Sequence, residues 1–248
     1  MSRTVAIIQA RTGSTRLPAK VLLPLLGEPM LTRVVRRVAR ASLLDGVVVA
    51  TTTAASDDVI ARLARSEGWS VERGSEDDLL DRYVVAARAH DADVIVRITS
   101  DCPLVDPEVI DRTVGAFRAG DLDYASNTLQ PLTYPRGLDV EVVARDAFER
   151  AWRDDRDPAW REHATPYIYR HPEQFRLARV AADDDNHDLR WTVDTPQDYA
   201  LVERIYKAFG RDDFTWREAL ALVEANPSCA SLNRHVIQRL VPPAGNVQ

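Results

Sequence analysis

Short apolar runs alternate along the first half of the chain with segments whose apolar residues recur every three to four positions. The runs are typical of strands buried on both faces, and the second pattern is typical of amphipathic helices. The pattern predicts strands at residues 5–10, 46–51, 69–72 and 93–98, and helices at residues 29–40, 56–65, 78–90 and 107–119. Alternation of this kind predicts an α/β, doubly wound, mostly parallel sheet with helices on both faces.

The alternation changes near residue 123. Here the pattern predicts strands at residues 123–127, 138–142, 175–180 and 190–193, and helices at residues 145–153, 160–170, after Pro196 and at 215–225. No linker-like segment separates the halves, so we expect a single domain over residues 1–225, with a nucleotide-binding half (1–122) and an acceptor-binding and dimerisation half (123–225). Residues 226–248 are expected to form a fraying tail.

Composition excludes several classes of protein. The net charge of -6 argues against a general nucleic-acid binder, which would carry a basic surface. Cys102 and Cys229 have neither the spacing of a zinc site nor the number expected of a disulfide framework. No segment approaches the roughly 20 apolar residues of a membrane span. We therefore expect a cytoplasmic protein with no nucleic-acid or membrane partner.

The loop at residues 11–20 follows the first predicted strand and is rich in groups that bind anions. It offers Gly13 for close backbone approach, hydroxyl groups, and cations at Arg11, Arg16 and Lys20. Lysine occurs elsewhere in the chain only at position 207, so its use here stands out. The loop could bind a polyphosphate, or it could be an ordinary solvated loop. It matches neither the Walker pattern nor the dinucleotide pattern.

Two aspartates occupy similar positions after predicted strands far apart in the chain. Asp101 follows the strand at 93–98, and Asp194 follows the strand at 190–193. In a parallel sheet, ligands bind beyond the carboxyl ends of the strands, and Mg²⁺ takes one or two carboxylates together with phosphate oxygens. Each aspartate could equally cap a helix or a turn.

Other candidates are weaker. The segment at 73–82 joins an arginine and a glycine turn to the acidic start of a helix, which ordinary capping also explains. Asp139 and Glu141 are expected on one face of the strand predicted at 138–142, and together with Asn127 they could bind sugar hydroxyls or face water. Arg161 and His163 could bind a carboxylate or a phosphonate, or belong to a surface patch of ion pairs.

Residues 9–20 (QARTGSTRLPAK) and the pattern L-x-x-L-x-G-x-P-M-L at 22–31 together resemble the signature of the cytidylyltransferases that make CMP-activated acidic sugars. That superfamily includes the CMP-3-deoxy-manno-octulosonate and CMP-acylneuraminate synthetases. Residues 97–107 (RITSDCPLVDP), 134–142 (YPRGLDVEV) and 161–168 (REHATPYI) look most like its spore-coat-polysaccharide-type branch. The resemblance covers about residues 4–208.

The resemblance implies a Rossmann-like, GT-A-like fold of the nucleotide-diphospho-sugar transferase type. It also implies that Mg²⁺ is the cofactor, CTP and a small acidic acceptor are the partners, and the protein is a homodimer. Carried onto this sequence, it places the triphosphate at Arg11, Ser14, Arg16 and Lys20, the nucleoside near Ala10, Arg73, Ser75 and Thr99, and the metal ion at Asp101 and Asp194. Gly13 of the loop is also a predicted nucleotide-binding residue.

The leading hypothesis is Mg²⁺-dependent transfer of CMP from CTP to a sugar acid or a phosphonate, with release of pyrophosphate. Arg16, Lys20 and Asp101 are the predicted catalytic residues. The predicted acceptor-binding residues are Asn127, Arg136, Asp139, Glu141, Arg161 and His163. Two alternatives remain open at this point: a GT-A type glycosyltransferase that uses a nucleotide sugar, and a non-catalytic nucleotide-binding protein of the same fold.

Overall fold

The structure, a computed structural model, describes residues 2–238 of the 248-residue chain. Within them the strands, numbered in chain order, are β1 (Thr4–Gln9), β2 (Pro24–Leu25), β3 (Glu28–Pro29), β4 (Gly46–Thr52), β5 (Ser70–Gly74), β6 (Val94–Thr99), β7 (Tyr124–Ser126), β8 (Glu141–Ala144) and β9 (Leu177–Arg179). The helices are α1 (Met30–Val38), α2 (Asp58–Ser66), α3 (Leu79–Ala89), α4 (Pro107–Ala119), α5 (Arg145–Asp154), α6 (Pro158–Arg161), α7 (Pro166–Tyr169), α8 (Pro196–Phe209), α9 (Trp216–Ala225) and α10 (Pro227–Ala230). None of these helices is both long enough and apolar enough to cross a lipid bilayer.

The main sheet has seven strands in the order β5-β4-β1-β6-β8-β7-β9. β8 pairs antiparallel with both of its neighbours, and the other strands run in one direction. β2 and β3 form a separate two-stranded hairpin. The chain moves outward from β1 through β4 to β5 and then returns to place β6 on the other side of β1. The order therefore switches between β1 and β6, and ligands bind at such a point in open α/β sheets.

Helices cover both faces of the sheet. In β1, Ala6 and Ile8 pack into a core with α1, α4, α8 and α9, whereas Val5 and Ile7 pack into a second core with α3 and α5. This division follows from the two-residue period of a strand, which sends successive side chains to opposite faces. The predicted α/β, mostly parallel, doubly wound fold is confirmed.

The strand predicted at residues 138–142 is shorter and later than expected, because its ladder begins only at Glu141. The buried side chain of Asn127 replaces a neighbouring strand before that point. Its amide nitrogen donates to the carbonyl oxygen of Leu138 at 2.7 Å, and its oxygen accepts from the backbone nitrogen of Val140 at 2.8 Å. Asp139 therefore lies outside the strand, and the prediction that it shares a strand face with Glu141 is wrong.

Two further predictions for the second half are wrong. The single helix predicted at residues 160–170 is two short helices, because Ala164 has a φ of 68° and Pro166 prevents continuous helical bonding. The strand predicted at residues 190–193 forms no ladder. The segment beside it is the loop that contains Arg136, and the two form only an isolated β-bridge between Arg136 and Arg190.

The first part of the predicted tail is folded. Residues 227–230 form α10, and Asn233 is buried against the segment that leads to α8. The side-chain amide of Asn233 donates to the carbonyl oxygen of Arg190 and to the carboxylate of Asp198, both at 2.8 Å. The expectation of fraying is therefore wrong for residues 226–238, and residues 239–248 lie outside the described part of the chain.

Candidate active site

A cleft of about 810 Å³ opens at the carboxyl ends of β1 and β6, where the strand order switches. One end, the loop end, is formed by the loop after β1 together with Asp101 and Asp194. The remaining part, called the far end, is formed by Thr128, the segment that precedes β8, and the region around α6 and α7, and it adjoins the loop end through the Arg11–Glu162 ion pair.

The loop after β1 is fixed by its own backbone and by Asp57. The carbonyl oxygen of Thr12 accepts from the backbone nitrogens of Ser14 at 2.8 Å and Ala19 at 3.0 Å, so the loop turns back on itself. The carboxylate of Asp57 accepts from the backbone nitrogen and the hydroxyl of Thr12, both at 2.7 Å. The predicted residues of this segment that line the cleft are Ala10, Arg11, Gly13, Ser14, Arg16 and Lys20.

Lys20 joins Asp101 and Asp194. Its Nζ donates to Asp101 Oδ2 and to Asp194 Oδ1, both at 2.8 Å, and the side chain is largely buried. The two aspartates are also joined through the backbone, where the nitrogen of Val193 donates to the carbonyl oxygen of Asp101 at 2.8 Å. Asp101 and Asp194, which are 81 and 174 positions from Lys20 in the sequence, thus meet at its ammonium group.

This arrangement fixes the charge of the groups. Burial by itself would raise the pKa of Asp101, but the Lys20 ammonium outweighs it and lowers the pKa to about 2. Burial likewise opposes the charge of Lys20, and the two aspartates outweigh it, so the pKa of Lys20 is raised. Both groups are therefore ionised at neutral pH.

Two arginines complete the loop end around Asp194. Arg16 Nη2 lies 3.0 Å from Asp194 Oδ2, and Arg190 Nη2 donates to the same oxygen at 2.6 Å. Arg190 is in turn held by Asp198, at 2.9 Å, and by Gln238. The position of Asp194 therefore depends on α8 and on the C-terminal segment of the described chain.

The residues at the loop end fit a divalent cation that a ligand helps to coordinate. Asp101 and Asp194 each contact the same Lys20 nitrogen, so one cation can reach both carboxylates. Within residues 2–238 no group of three or more His, Cys, Asp or Glu side chains could hold a metal ion. Proteins usually bind Mg²⁺ through one or two carboxylates, and phosphate and water oxygens complete its coordination.

The far end contains four of the predicted residues: Arg136, Asp139, Glu141 and His163. The Glu141 carboxylate is paired with Arg97 of β6 and accepts from the Tyr124 hydroxyl at 2.9 Å. Burial raises the pKa of Asp139. Burial, and to a lesser degree the nearby arginines, lowers the pKa of His163, so its imidazole is neutral at neutral pH.

Gly137 allows the far end to approach the loop end closely. Its φ is +105°, and a Cβ at this position would lie 2.5 Å from the backbone nitrogen of Thr192 and 2.6 Å from the carbonyl carbon of Trp191. Only glycine tolerates both this backbone conformation and this separation. The backbone of Arg136 is thus held beside the segment that carries Asp194.

The structure does not bring four predicted residues to the cleft wall. Arg73 donates to the carbonyl oxygens of Thr52 and Ala54 and pairs with Asp58 at 2.6 Å. The remaining three are likewise engaged in structural hydrogen bonds, Ser75 with the backbone nitrogen of Asp78, Asn127 with the backbone before β8, and Arg161 with Asp78 and two carbonyl oxygens. Thr99, by contrast, lines the cleft.

Sequence reasoning missed several charged residues of the site. Arg97 interrupts the apolar run of β6, and this interruption could have revealed it, because a charge within a buried strand needs a partner. Arg190 stands four residues before Asp194 and could have been noticed by that spacing. Arg82 lies in an ordinary helical pattern that carries no signal for burial in a cleft.

Comparisons with known proteins give one family. A family model described as cytidylyltransferase matches residues 5–226. The chain is similar to the spore coat polysaccharide biosynthesis protein SpsF of Bacillus subtilis, with 35% identity over 239 residues that cover 93% of this chain and 98% of that protein. It is 31% identical over 205 residues to the 3-deoxy-manno-octulosonate cytidylyltransferase of Geobacter metallireducens, covering 72% of this chain and 79% of that protein. A solved cytidylyltransferase structure from Leptospira borgpetersenii superposes with a TM-score of 0.89 at 33% identity and covers 93% of this chain and 97% of its own.

Proposed function

Because the chain belongs to the cytidylyltransferase family, we propose that it transfers the CMP group of CTP to an acidic acceptor and releases pyrophosphate. The family and the nucleotidyltransferase activity that the N-terminal motif predicts are confirmed. The donor nucleotide, the metal ion and the acceptor are parts of the proposal.

The single observation that carries the proposal is the meeting of Lys20 with Asp101 and Asp194 beside the loop after β1. A triphosphate brings about four negative charges, and cations with backbone N–H groups in a cleft are what bind it. Lys20 is buried, Arg16 is partly buried, and both already pair with Asp194. They can pass to phosphate oxygens when the aspartates take a metal ion instead.

Asp101 and Asp194 would hold Mg²⁺, which when bound neutralises charge on the phosphate oxygens. The pKa of about 2 keeps Asp101 ionised and able to bind a cation throughout the neutral range. Arg190 donates to the Asp194 carboxylate and is itself held by Asp198. The Asp194 carboxylate is therefore oriented before a ligand binds.

In the proposed reaction, an acceptor hydroxyl oxygen forms a bond to the α-phosphorus of CTP. The bond from that phosphorus to the β-phosphate oxygen breaks, pyrophosphate leaves, and the hydroxyl proton passes to solvent. Arg16 and Lys20 stabilise the negative charge that grows on the leaving pyrophosphate. The loop and the cleft wall supply orientation, which is most of what a reaction of this kind asks of the protein.

The far end is the proposed acceptor site. Arg136 is the cation for an acidic group, and Asp139 and His163 can bond to hydroxyl groups. The names of two relatives support a sugar acid as acceptor, since one is a 3-deoxy-manno-octulosonate cytidylyltransferase and the other acts in spore coat polysaccharide biosynthesis. We accordingly propose a role in polysaccharide biosynthesis, with a small phosphonate as the other acceptor class. The homodimer and the cytoplasmic location stay predictions.

A panel experiment tests the proposal. The protein is incubated with CTP, Mg²⁺ and one acceptor at a time from a set of 2-keto-3-deoxy sugar acids, other acidic sugars and phosphonates. Mass spectrometry should detect a CMP conjugate of at least one acceptor, and EDTA should abolish it. Binding of CTP in calorimetry without a conjugate from any acceptor would instead favour a non-catalytic nucleotide-binding protein.

A further inference from the structure

Arg82 of α3 is a buried arginine whose guanidinium lacks partners. Its side chain is only 4% exposed. Neither Nε nor Nη1 has a hydrogen-bond partner, and no ion pair to the side chain is found within residues 2–238. Burying an ionised group without a partner is costly, so a position of this kind calls for an explanation.

Two other buried arginines within residues 2–238, Arg37 and Arg190, have hydrogen-bond acceptors for their guanidinium groups. Arg37, which is 1% exposed, donates to the carbonyl oxygens of Val105, Asp212 and Phe214. Arg190 is satisfied by Asp194 and Asp198, as described above. The fold thus supplies acceptors where a buried arginine is structural, and it supplies none at Arg82.

The position of Arg82 shows what could supply the missing acceptors. The Arg82 side chain lines the cleft and packs against Gly74. A Cβ atom added at Gly74 would lie 3.2 Å from Cγ of Arg82. The charged groups around it are Arg11, Asp57 and Glu76. Asp57 is already occupied by Thr12 of the loop, and Glu76 forms no ion pair with Arg82.

Within residues 2–238 no carboxylate pairs with the Arg82 guanidinium. Burial lowers the pKa of Arg82 and the nearby Arg11 also lowers it, whereas the charges of Asp57 and Glu76 raise it. A guanidinium has donors only and remains protonated, so it needs acceptors that carry negative charge. An uncharged base or sugar hydroxyl would satisfy hydrogen bonds but would not supply an ionic partner.

We propose that Arg82 binds a phosphate group of the nucleotide, as a cationic contact beyond those of the loop after β1. Two N–H groups of one guanidinium can bond to two oxygens of one phosphate. The inference rests on the proposed CTP site and adds to it a residue that comes from α3. It also accounts for the unpaired donors of Arg82, since a bound phosphate would supply their acceptors.

The test measures binding and stability on the same variant. Calorimetry compares CTP, inorganic pyrophosphate and cytidine on the wild type, on Arg82→Met and on Arg88→Met. Arg88 is a matched control because it lies on the same helix, is exposed, and pairs with Glu149 away from the cleft. Thermal unfolding of the unliganded proteins is recorded in parallel.

Arg82→Met should weaken CTP and pyrophosphate binding by about 10- to 100-fold, which is the usual range for a hydrogen bond to a charged group. Cytidine binding should not change, and the unliganded variant should melt at the same or a higher temperature, because an unpaired buried charge is gone. Arg88→Met should match the wild type in all three titrations. A purely structural Arg82 would do the opposite and lower the melting temperature.

Three outcomes overturn the inference. These are an Arg82→Met protein that binds CTP as tightly as the wild type, one that loses cytidine affinity as strongly as CTP affinity, and one that unfolds at a clearly lower temperature. A wild-type protein that binds neither CTP nor pyrophosphate overturns the proposed function and this inference with it. The first three results leave the proposed function standing.

Discussion

The two ends of the cleft are built in opposite ways. At the loop end the charged groups are already paired, since Lys20 joins Asp101 to Asp194 and two arginines contact Asp194. At the far end, within residues 2–238, Arg136 forms no ion pair although Asp139 lies in the same cleft. A ligand that binds at the loop end must therefore displace existing ion pairs. A ligand that binds at the far end meets Arg136, which forms no ion pair within residues 2–238.

The difference indicates a division of work. We expect the paired cations of the loop end to exchange partners only with a ligand of comparable charge, such as the proposed metal-bound triphosphate. An open site at the far end is held in shape by neighbours, among them Gly137 and the Arg97–Glu141 pair. Substitutions should separate the two ends into effects on chemistry, on acceptor affinity and on stability.

The largest expected effect concerns stability at the far end. Glu141→Gln leaves Arg97 as an uncompensated buried charge, and breaking a buried pair in this way costs about 3–5 kcal/mol of unfolding free energy. Urea unfolding measures the change. The double variant Arg97→Met/Glu141→Met should lose less than Glu141→Gln alone, and a Glu141→Gln protein of wild-type stability would contradict the structural role of the pair.

The next effect is on chemistry at the loop end. Lys20→Met removes the cation assigned to the leaving pyrophosphate, and turnover should fall by about 10²-fold or more, as it does when a single electrostatic contact to the transition state is lost. Pyrophosphate release measures it. Lys207→Met is the control, since Lys207 is exposed on α8 and pairs with Glu203. Equal turnover of the two variants would refute the role of Lys20.

Arg136→Met should act on acceptor affinity alone. The KM for the acceptor should rise by about 10- to 100-fold, which corresponds to one lost charge-assisted contact. The KM for CTP should stay unchanged, because Arg136 belongs to the far end. Initial rates with each substrate varied in turn give both constants, and a parallel rise in the KM for CTP would show that the two ends are not separate.

The smallest effect is a pH dependence from His163. Burial lowers its pKa below 6.5, so the unfolded chain binds a proton more readily than the folded protein does. Its contribution to stability is complete above pH 6.5 and is lost as the pH falls through the folded pKa. Urea unfolding between about pH 7.5 and about pH 5 should show a steeper loss for the wild type than for His163→Gln. Parallel curves would contradict a buried neutral imidazole.

The same contrast explains what could be predicted from the sequence. α4 was predicted at its observed bounds, because Pro107 and the helical period mark it locally. The meeting of Asp101 with Asp194 was expected from two strand ends, but residues 190–193 form no strand, and a backbone hydrogen bond from Val193 to Asp101 joins the two segments instead. The far end rests on irregular backbone, where the Asn127 side chain replaces a strand and Gly137 allows a close contact. Neither feature has a local pattern.

The sequence also does not show which arginines tertiary packing places in the cleft. Arg73 and Arg82 belong to one segment and look alike in the sequence, yet the first is held by carbonyl oxygens of the loop after β4 and the second is buried in the cleft without a partner. Arg161 resembled a binding group and instead bonds to Asp78 and to carbonyl oxygens. Only tertiary packing decides between such positions, and a single sequence does not display it.

The central claim is that this cleft transfers CMP from CTP. The most direct test follows CTP labelled in its α- and γ-phosphates through a reaction with Mg²⁺ and the acceptor panel. The account predicts α-label in an acceptor conjugate and γ-label in an equal amount of pyrophosphate, with both products lost in EDTA and reduced about 10²-fold or more in Asp101→Asn. Release of γ-label as free phosphate, or wild-type product formation by Asp101→Asn, would contradict it.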